Sequence, residues 1–313
     1  MGTYLLRRLL ATIPVMGVVA LFVFALLHLT PGDPAAVIAG DYASPADVER
    51  IRHQLGLDKP LHTQLGIWLW HVVRGDLGTS IFSGLPVTKL IAQRMEPTLA
   101  LTVATMTIAV VVAVPLGILA AWKAGTWIDR LVMVFAVLGF SIPVFWLGFL
   151  FIYGFSIRLE LLPVQGYVSF KKGLLPFLKH LVLPSLTLGM VYMALIARMT
   201  RGQHAGVLRE DYVRTAYAKG LKAGAVLLRH ALKNAALPIV TIIGIGVALL
   251  IGGVVVTESV FAIPGLGRLT VDAVLHRDYP VIQGIILVFS GVYVLINLGV
   301  DIVYTLLDPR IRY

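Results

Sequence analysis

The residue types that support catalysis occur in this sequence, but not at the spacings that known catalytic sites require. Eight histidines are scattered without metal-ligand spacing, and the chain has no cysteine, which excludes disulfides, thiolate catalysis and cysteine-based metal sites. The patterns H-E-x-x-H, G-x-S-x-G and G-x-x-x-x-G-K-[ST] are also missing. We therefore expect no enzyme activity, no bound metal or cofactor, and no ATP held by a P-loop of this chain.

Acidic residues inside apolar stretches could relay protons or sodium ions in a transporter that works alone. The apolar stretches here are almost free of charge. Glu258 lies close to one end of such a stretch, and Asp301 lies one to two turns from the end of another. We interpret Asp301 as structural and keep an ion-coupled secondary transporter as the alternative of a different class.

Composition indicates that most of the chain lies in a membrane. It is 58% hydrophobic and 13% charged, whereas soluble domains carry about 25% charged residues. The net charge of +10 is not arranged as a basic stripe with interleaved aromatics, so we expect no nucleic-acid partner. Lysine and arginine serve membrane orientation instead, and the lipid bilayer is the expected surrounding.

Six apolar stretches are long enough, or nearly so, to cross a bilayer, which takes about 20 residues. The first is interpreted as an uncleaved span, because its apolar run is longer than a signal-peptide core and no small-x-small cleavage site follows. The fourth is short. The predicted spans are Leu9–Leu29, Thr98–Trp122, Leu131–Ile157, Leu183–Met199, Ile239–Phe261 and Val281–Leu307.

Charge bias predicts the orientation of these spans. With the N-terminus in the cytoplasm, 14 lysine and arginine residues lie inside and six lie in the two short outside loops. The long loop near 31–97 does not count, since long loops translocate regardless of charge. Both termini and the segment 210–238 are therefore expected in the cytoplasm.

The outside loops are predicted to contain short helices. In residues 44–60 Ser44 is a candidate N-cap and Gly56 the C-terminal stop, while "LHTQLGIWLWHVV" (61–73) is amphipathic. A further helical run is expected near 268–276. A lid on the membrane part and a docking surface for an extracytoplasmic partner both remain open as roles.

Small residues and one proline shape the predicted membrane helices. Pro143 should kink the third span. Gly244, Ala248 and Gly252 recur every four residues, which allows close helix packing or leaves room for a passage. The candidate pathway residues are Ser141, Thr241, Gly244, Ala248, Gly252 and Thr257.

A basic segment, "EDYVRTAYAKGLKAGAVLLRHALKNAALP" (210–238), separates two apolar stretches. It is predicted to form two short helices, from Asp211 to Lys219 and from Ala225 to Ala236, with Gly220 as the stop between them and Pro238 at the start of the next span. An interfacial helix pair on anionic lipid is one interpretation. A knob inserted into a cytoplasmic partner explains its small residues better.

This segment resembles the EAA loop of permease subunits of binding-protein-dependent ABC importers. Arg214-Thr215-Ala216 falls on the Glu-Ala-Ala positions, Gly220 on the glycine, and Leu237-Pro238 on the Leu-Pro pair. "DYVRTAYAKG" and "HALKNAALP" are similar to the peptide/nickel branch. Further motifs look like the first permease of that branch: "TPGDP" (30–34), "LGLDKPL" (55–61), "GDLGTS" (75–80), "LPSLTLG" (183–189), "ARMTR" (197–201), "FAIPGLGRL" (261–269), "RDYPVIQG" (277–284) and "DPRIRY" (308–313).

The resemblance implies an all-α protein of the bacterial inner membrane with the type I ABC importer transmembrane fold. Expected partners are a second homologous permease, two cytoplasmic ATPase subunits that bind ATP and magnesium, and an extracytoplasmic substrate-binding protein. Expected substrates are di- or oligopeptides, with nickel chelates, glutathione or other small solutes as alternatives. The residues expected to couple to the ATPase are Asp211, Tyr212, Arg214, Thr215, Ala216, Ala218, Lys219, Gly220 and Leu221, with Tyr212, Thr215, Ala216 and Lys219 as the contact face.

Three regions follow from this interpretation. Residues 1–97 hold the first span and the long outside loop. Residues 98–307 hold the five-helix permease core, with the coupling loop at 200–238. Residues 308–313 form a short cytoplasmic tail.

Overall fold

The fold was analysed in a computed structural model that describes residues 2–29, 33–39, 43–54 and 56–307. The terminal motif at 308–313 and part of "TPGDP" and "LGLDKPL" lie outside these ranges. The described residues are helical apart from turns and one isolated antiparallel bridge between Thr79 and Pro86. The helices are α1 (Gly2–Leu29), α2 (Pro34–Ala39), α3 (Pro45–Gln54), α4 (Leu61–Val73), α5 (Val87–Trp122), α6 (Trp127–Ser141), α7 (Val144–Phe151), α8 (Leu174–Val207), α9 (Asp211–Ala218), α10 (Ala223–Ala225), α11 (Leu232–Val260), α12 (Leu266–Leu275) and α13 (Tyr279–Leu307).

Five described helices are long and apolar enough to cross a membrane, and a bent pair makes the number six if it counts as one span. The bent pair is α6 followed by α7 and its π-helical continuation to Arg158, with 104° between the two parts. The predicted kink at Pro143 is thus a full break. Ile142, which precedes the proline, is extended, as the proline ring requires of its neighbour.

The fourth predicted span is part of a much longer helix. α8 has 34 residues and includes Pro184, whereas the prediction covered Leu183–Met199. Hydropathy missed the last two turns because they carry polar residues. Those turns stay helical because Thr200 and His204 are buried in the fold and Arg201 is paired with Asp129.

The chain divides into two compact units, Met1–Glu96 with Arg268–Val294 and Pro97–Gly267 with Leu295–Tyr313. In the first, Ala20 and Val23 of α1 pack with Leu287 of α13. The Nε2 of Gln283 donates to the Val23 carbonyl (3.1 Å). These contacts fix α1 against the first half of α13.

The predicted helix at 44–60 is confirmed by α3 and its ends. The backbone N–H of Asp47 donates to Oγ of Ser44 (3.2 Å), and the Ser44 hydroxyl donates to the Asp47 carboxylate (2.7 Å). This cap satisfies an orphan N–H of the first turn, and the hydrogen bond from Ser44 lowers the pKa of Asp47. Gly56 has a φ of 65°, the left-handed conformation of a C-terminal stop.

A tight turn in the first unit is held by one carboxylate. Asp278 is 4% exposed and accepts hydrogen bonds from the Ser80 hydroxyl (2.5 Å) and the backbone N–H groups of Ile81 (3.2 Å) and Phe82 (3.4 Å). The ring of Phe82 lies 4.1 Å from that of His276. Residues 79–86 are therefore fixed to the turn between α12 and α13.

The second unit is built around α8, which packs against α6, α7 and α11. Its core is a continuous apolar cluster that includes Leu101, Leu183, Ile196 and Leu250, each 2% exposed or less. Close approach of α5 and α8 depends on Gly117, which faces the Ala197 carbonyl and Thr200. Small residues therefore set the helix spacing in this unit.

Replacing Gly117 with alanine should destabilise the protein. The new Cβ would lie 2.6 Å from Cβ of Thr200 and 2.7 Å from the Ala197 carbonyl oxygen, and overpacking of this kind costs about 1–3 kcal/mol. Thermal unfolding of the detergent-solubilised protein should shift to lower temperature. Gly202→Ala on α8 is the matched control, since its Cβ meets nothing within 4 Å; equal unfolding temperatures for the two variants would contradict this packing.

Candidate functional site

The helix α9 forms a small projection between two long membrane helices. Glu210 precedes it in an extended conformation, and Lys219 and Gly220 end it. Gly220 has a φ of 77°, so the left-handed stop predicted from the sequence is present. The backbone N–H of Leu221 donates to the Ala216 carbonyl (3.3 Å), which closes the end of the helix.

One face of α9 is buried against the chain itself. Val213 and Ala216 pack with Val226, supported by Val207 and Leu208. Ala216 is 7% exposed, so it differs from the other members of the predicted contact face, Tyr212, Thr215 and Lys219, which are exposed. Helical geometry explains this, because Val213 and Ala216 are three residues apart and share one side.

The exposed surface of α9 carries polar and small side chains. Arg214, which occupies the position that is acidic in the EAA pattern, approaches Asp211 (Nη1 to Oδ1, 3.5 Å), with both side chains largely in solvent. Exposed ion pairs of this kind contribute little stability. The residues predicted for coupling that lie on this exposed surface are Asp211, Tyr212, Arg214, Thr215, Ala218, Lys219, Gly220 and Leu221.

The second predicted helix of this segment is wrong in its extent. Instead of a separate helix from Ala225 to Ala236, a short α10 continues through a π-helical turn, Val226–Ala231, into α11. Pro238 lies inside α11 rather than at its start. Membrane helices tolerate such a proline where neighbouring groups take up the freed backbone carbonyl. The projection is therefore joined directly to a membrane helix.

A side-chain hydrogen bond ties α9 to the start of α11. The Nδ2 of Asn234 donates to the hydroxyl oxygen of Tyr212 (2.7 Å) and also lies 3.2 Å from the His230 carbonyl. Together with the apolar contact of Val213 and Val226, this bond makes α9 and the first turns of α11 one body. The sequence showed the residues but not this pairing.

Two of the predicted pathway residues take part in helix packing. Gly244 faces Val300 of α13, whose methyl group occupies the space a Cβ would need. The Thr241 hydroxyl accepts a hydrogen bond from the Tyr304 hydroxyl (2.6 Å). The packing interpretation of the small-residue stripe accounts for Gly244, and Thr241 is tied to α13 by its hydrogen bond.

The other predicted pathway residues are spread over the second unit. Ala248 is half-buried, and Thr257 is buried without a hydrogen bond to the described residues. The surroundings of Gly252 lie outside the described part of the structure. Ser141, at the end of α6, donates to the Val137 carbonyl (2.9 Å) and lines a cavity of 230 Å³.

Glu258 is a buried acid that the sequence placed near the end of a span without a role. It is fully buried, and Thr98 donates its hydroxyl to Oε1 (2.6 Å). The Thr98 oxygen in turn accepts from the N–H of Leu266 (2.8 Å). Gly265 and Gly267 lie so close to the carboxylate that a side chain at either would meet it. In the sequence, the two glycines of "FAIPGLGRL" were the feature that could have indicated a close contact with this carboxylate.

Sequence reasoning also missed an ion pair that contains a buried carboxylate. The Asp129 carboxylate, 5% exposed, accepts from Nε (3.1 Å) and Nη2 (2.8 Å) of Arg201 and from the N–H of Gly125 (3.0 Å). The bond joins the start of α6 to the last turns of α8. Its partners are 72 residues apart, and nothing in the spacing indicates that they meet.

No group of three or more histidine, aspartate, glutamate or cysteine side chains lies close enough to hold a metal within the described ranges. His204, on α8, is fully buried, and its ring nitrogens form no hydrogen bond with the described residues. The described residues therefore offer a projection, α9, and buried carboxylates held by hydrogen bonds at Asp129 and Glu258.

Two family models match this chain. Residues 113–313 match the inner membrane component of binding-protein-dependent transport systems. Residues 1–102 match the N-terminal part of such membrane components.

Full-length relatives carry related names. A probable peptide ABC transporter permease protein of Sinorhizobium fredii is 54% identical over 313 residues, which is all of both chains. A putative peptide transport system permease protein of Brucella abortus is 46% identical and a glutathione transport system permease protein of Salmonella paratyphi A is 48% identical, again over all of both chains.

The fold is similar to that of a solved ABC importer. An inward-facing structure of the methionine ABC transporter MetNI matches with a TM-score of 0.58 and 18% identity. The match covers 70% of this chain and 96% of that one. At this identity the likeness concerns the fold, and it agrees with the expected type I importer architecture.

Gly220→Ala should loosen α9 through backbone strain alone. No atom lies within 4 Å of the Cβ position, but the left-handed conformation costs an alanine about 1 kcal/mol. Amide hydrogen exchange in α9 should become about fivefold faster. Gly224→Ala, equally uncrowded and with ordinary backbone angles, should leave that rate unchanged; similar rates in both variants would show that the stop is not strained.

Proposed function

Since this chain belongs to the family of inner membrane components of binding-protein-dependent transport systems, we propose that it forms one half of the translocation pathway of an ATP-driven peptide importer. As a permease subunit it is not an enzyme. It is a multi-pass inner membrane protein, and membership of the family implies ATPase, binding-protein and second-permease partners.

The attachment of α9 to α11 carries this proposal. α9 exposes a face of small and polar residues while its other face is fixed by Val213, Ala216 and the Tyr212–Asn234 bond. A rigid helix of this kind, wedged in a partner's cleft, converts motion of the partner into rotation of the helix to which it is joined. α9 is therefore proposed as the coupling helix, with Thr215, Ala218 and Lys219 towards the ATPase and Tyr212 holding the helix to α11.

The transport cycle follows from that attachment. Two cytoplasmic ATPase subunits bind ATP and magnesium and close on one another, which brings the coupling helices of two permeases together. The membrane helices then rotate and the pathway opens to the outside, where a binding protein delivers the solute. Hydrolysis resets the assembly. In this arrangement both termini and α9 lie in the cytoplasm. The second permease is a different but homologous chain. The ATPase subunits alone bind ATP, and this chain supplies no residue to that site.

Peptide is the proposed solute because two of the full-length relatives are named as peptide permeases. A glutathione permease is also among them, and glutathione is itself a tripeptide. A nickel chelate or another small solute on the same machinery is the second candidate. The nearly charge-free membrane helices suit solutes selected mainly by the binding protein.

Uptake should require the whole assembly. Proteoliposomes holding this chain, its partner permease and the ATPases should take up peptide only with ATP inside and binding protein outside. The chain alone in a proton gradient should take up none, because the proposed transport is driven by the ATPase subunits. Uptake by the lone chain would favour the ion-coupled secondary transporter instead.

Ala218→Trp should separate the chain from its ATPase. Ala218 is exposed on α9. The indole of a tryptophan at this position would clash with the wall of the ATPase cleft and keep α9 from entering it. Co-purification of the ATPase subunits should fall by about tenfold or more, as for loss of a well-packed contact. Ala124→Trp, also exposed but in the turn between α5 and α6, is the matched control and should co-purify normally. Equal co-purification of both would place the ATPase contact elsewhere.

A further inference from the structure

Two arginines on α8 have opposite surroundings. Arg201 is held by Asp129, whose two carboxylate oxygens both accept from it. Arg198, three residues earlier, forms no ion pair or hydrogen bond with the residues that the structure describes. Asp129 already has its partner, so it is not the counter-charge for Arg198.

Arg198 lies at the inner end of the apolar part of α8, which the sequence predicts to end at Met199, and polar turns follow it to Val207. A charged side chain at this end of a membrane helix reaches towards water, where it can meet a solute or an anionic group. Arg198 is exposed in this chain rather than enclosed by it, so its guanidinium is accessible.

The surroundings of Arg198 form a cavity of 230 Å³ between α6 and α8. Its walls are mostly apolar, with Met133, Val137 and Phe140 from α6 and Leu195 from α8. Ser141 and Arg198 are the polar side chains that line it. Sites for whole small molecules usually measure about 300–1,000 Å³, so this space suits one end of a longer solute.

We propose that Arg198 binds the terminal carboxylate of the solute in transit, with the last side chain of that solute against Met133, Val137 and Phe140. This inference rests on the proposed function as a peptide importer. A guanidinium offers two parallel N–H donors that match a carboxylate, and every unmodified peptide ends in one. Arg198 thereby gives the permease a preference of its own, in addition to that of the binding protein.

The same anionic chemistry is found in phospholipid headgroups, and the test below separates the two sources. Ser141 lines one end of the cavity, and its hydroxyl oxygen remains able to accept a hydrogen bond. The N–H groups of a peptide backbone can donate to that oxygen.

The test compares trialanine with trialanine amide in proteoliposomes that hold the complete assembly, at concentrations that saturate the binding protein. Arg198→Gln should lower the ratio of acid to amide uptake by about tenfold, the value of one hydrogen bond to a charged group. Arg198→Lys should give a ratio of acid to amide uptake between those of the wild type and Arg198→Gln. Arg130→Gln, an exposed arginine of α6, should keep the wild-type ratio. The binding protein is the same throughout, so its own preference cancels.

Each result supports or overturns the inference. Retained uptake of the amide by Arg198→Gln shows that the variant is folded. An equal fall for both peptides, or an unchanged ratio, overturns it. Vesicles with and without phosphatidylglycerol separate the lipid alternative. If Arg198→Gln lowers uptake of both peptides equally in vesicles that contain phosphatidylglycerol, but not in phosphatidylcholine alone, Arg198 binds lipid. Wild-type assemblies that import neither peptide contradict the proposed function itself, and this inference with it.

Discussion

The ion pair of Asp129 with Arg201 is the interaction on which the second unit depends. A buried carboxylate without a partner would be costly, and this one is satisfied by two nitrogens of the guanidinium and by the N–H of Gly125. The pair fixes the start of α6 to the end of α8, while Gly139 lets the same two helices approach at Met190 and Ala194. The cavity beside Arg198 exists because these two points of contact hold the helices at a set distance.

The apolar stretches of the sequence predicted the membrane helices well, since crossing a bilayer demands long apolar runs whatever the tertiary contacts. Their ends were less accurate. α8 extends past its apolar core because Thr200, Arg201 and His204 find buried places in the fold, and α11 runs through Pro238. Propensity favours a break at proline, whereas the surroundings of the helix decide whether the break occurs.

Pairings across the chain could not be read from residue types. The spacing of α9 predicted its length and its glycine stop, but Ala216 turned out to be buried, because the segment folds back onto Val226. The bonds of Tyr212 with Asn234 and of Thr98 with Glu258 join residues 22 and 160 positions apart. Each bond depends on the three-dimensional course of the chain. A single sequence does not show which distant residues come into contact.

The carboxylate of Asp278 has a consequence for the order in which the protein is made. Ser80, Ile81 and Phe82 rest on a residue almost 200 positions later in the chain. During synthesis, residues 80–82 must wait for Asp278 until the helices that precede α13 have been made. Its final shape therefore requires that the chain has been made as far as Asp278, and a protein truncated before that residue would leave the loop open to proteases.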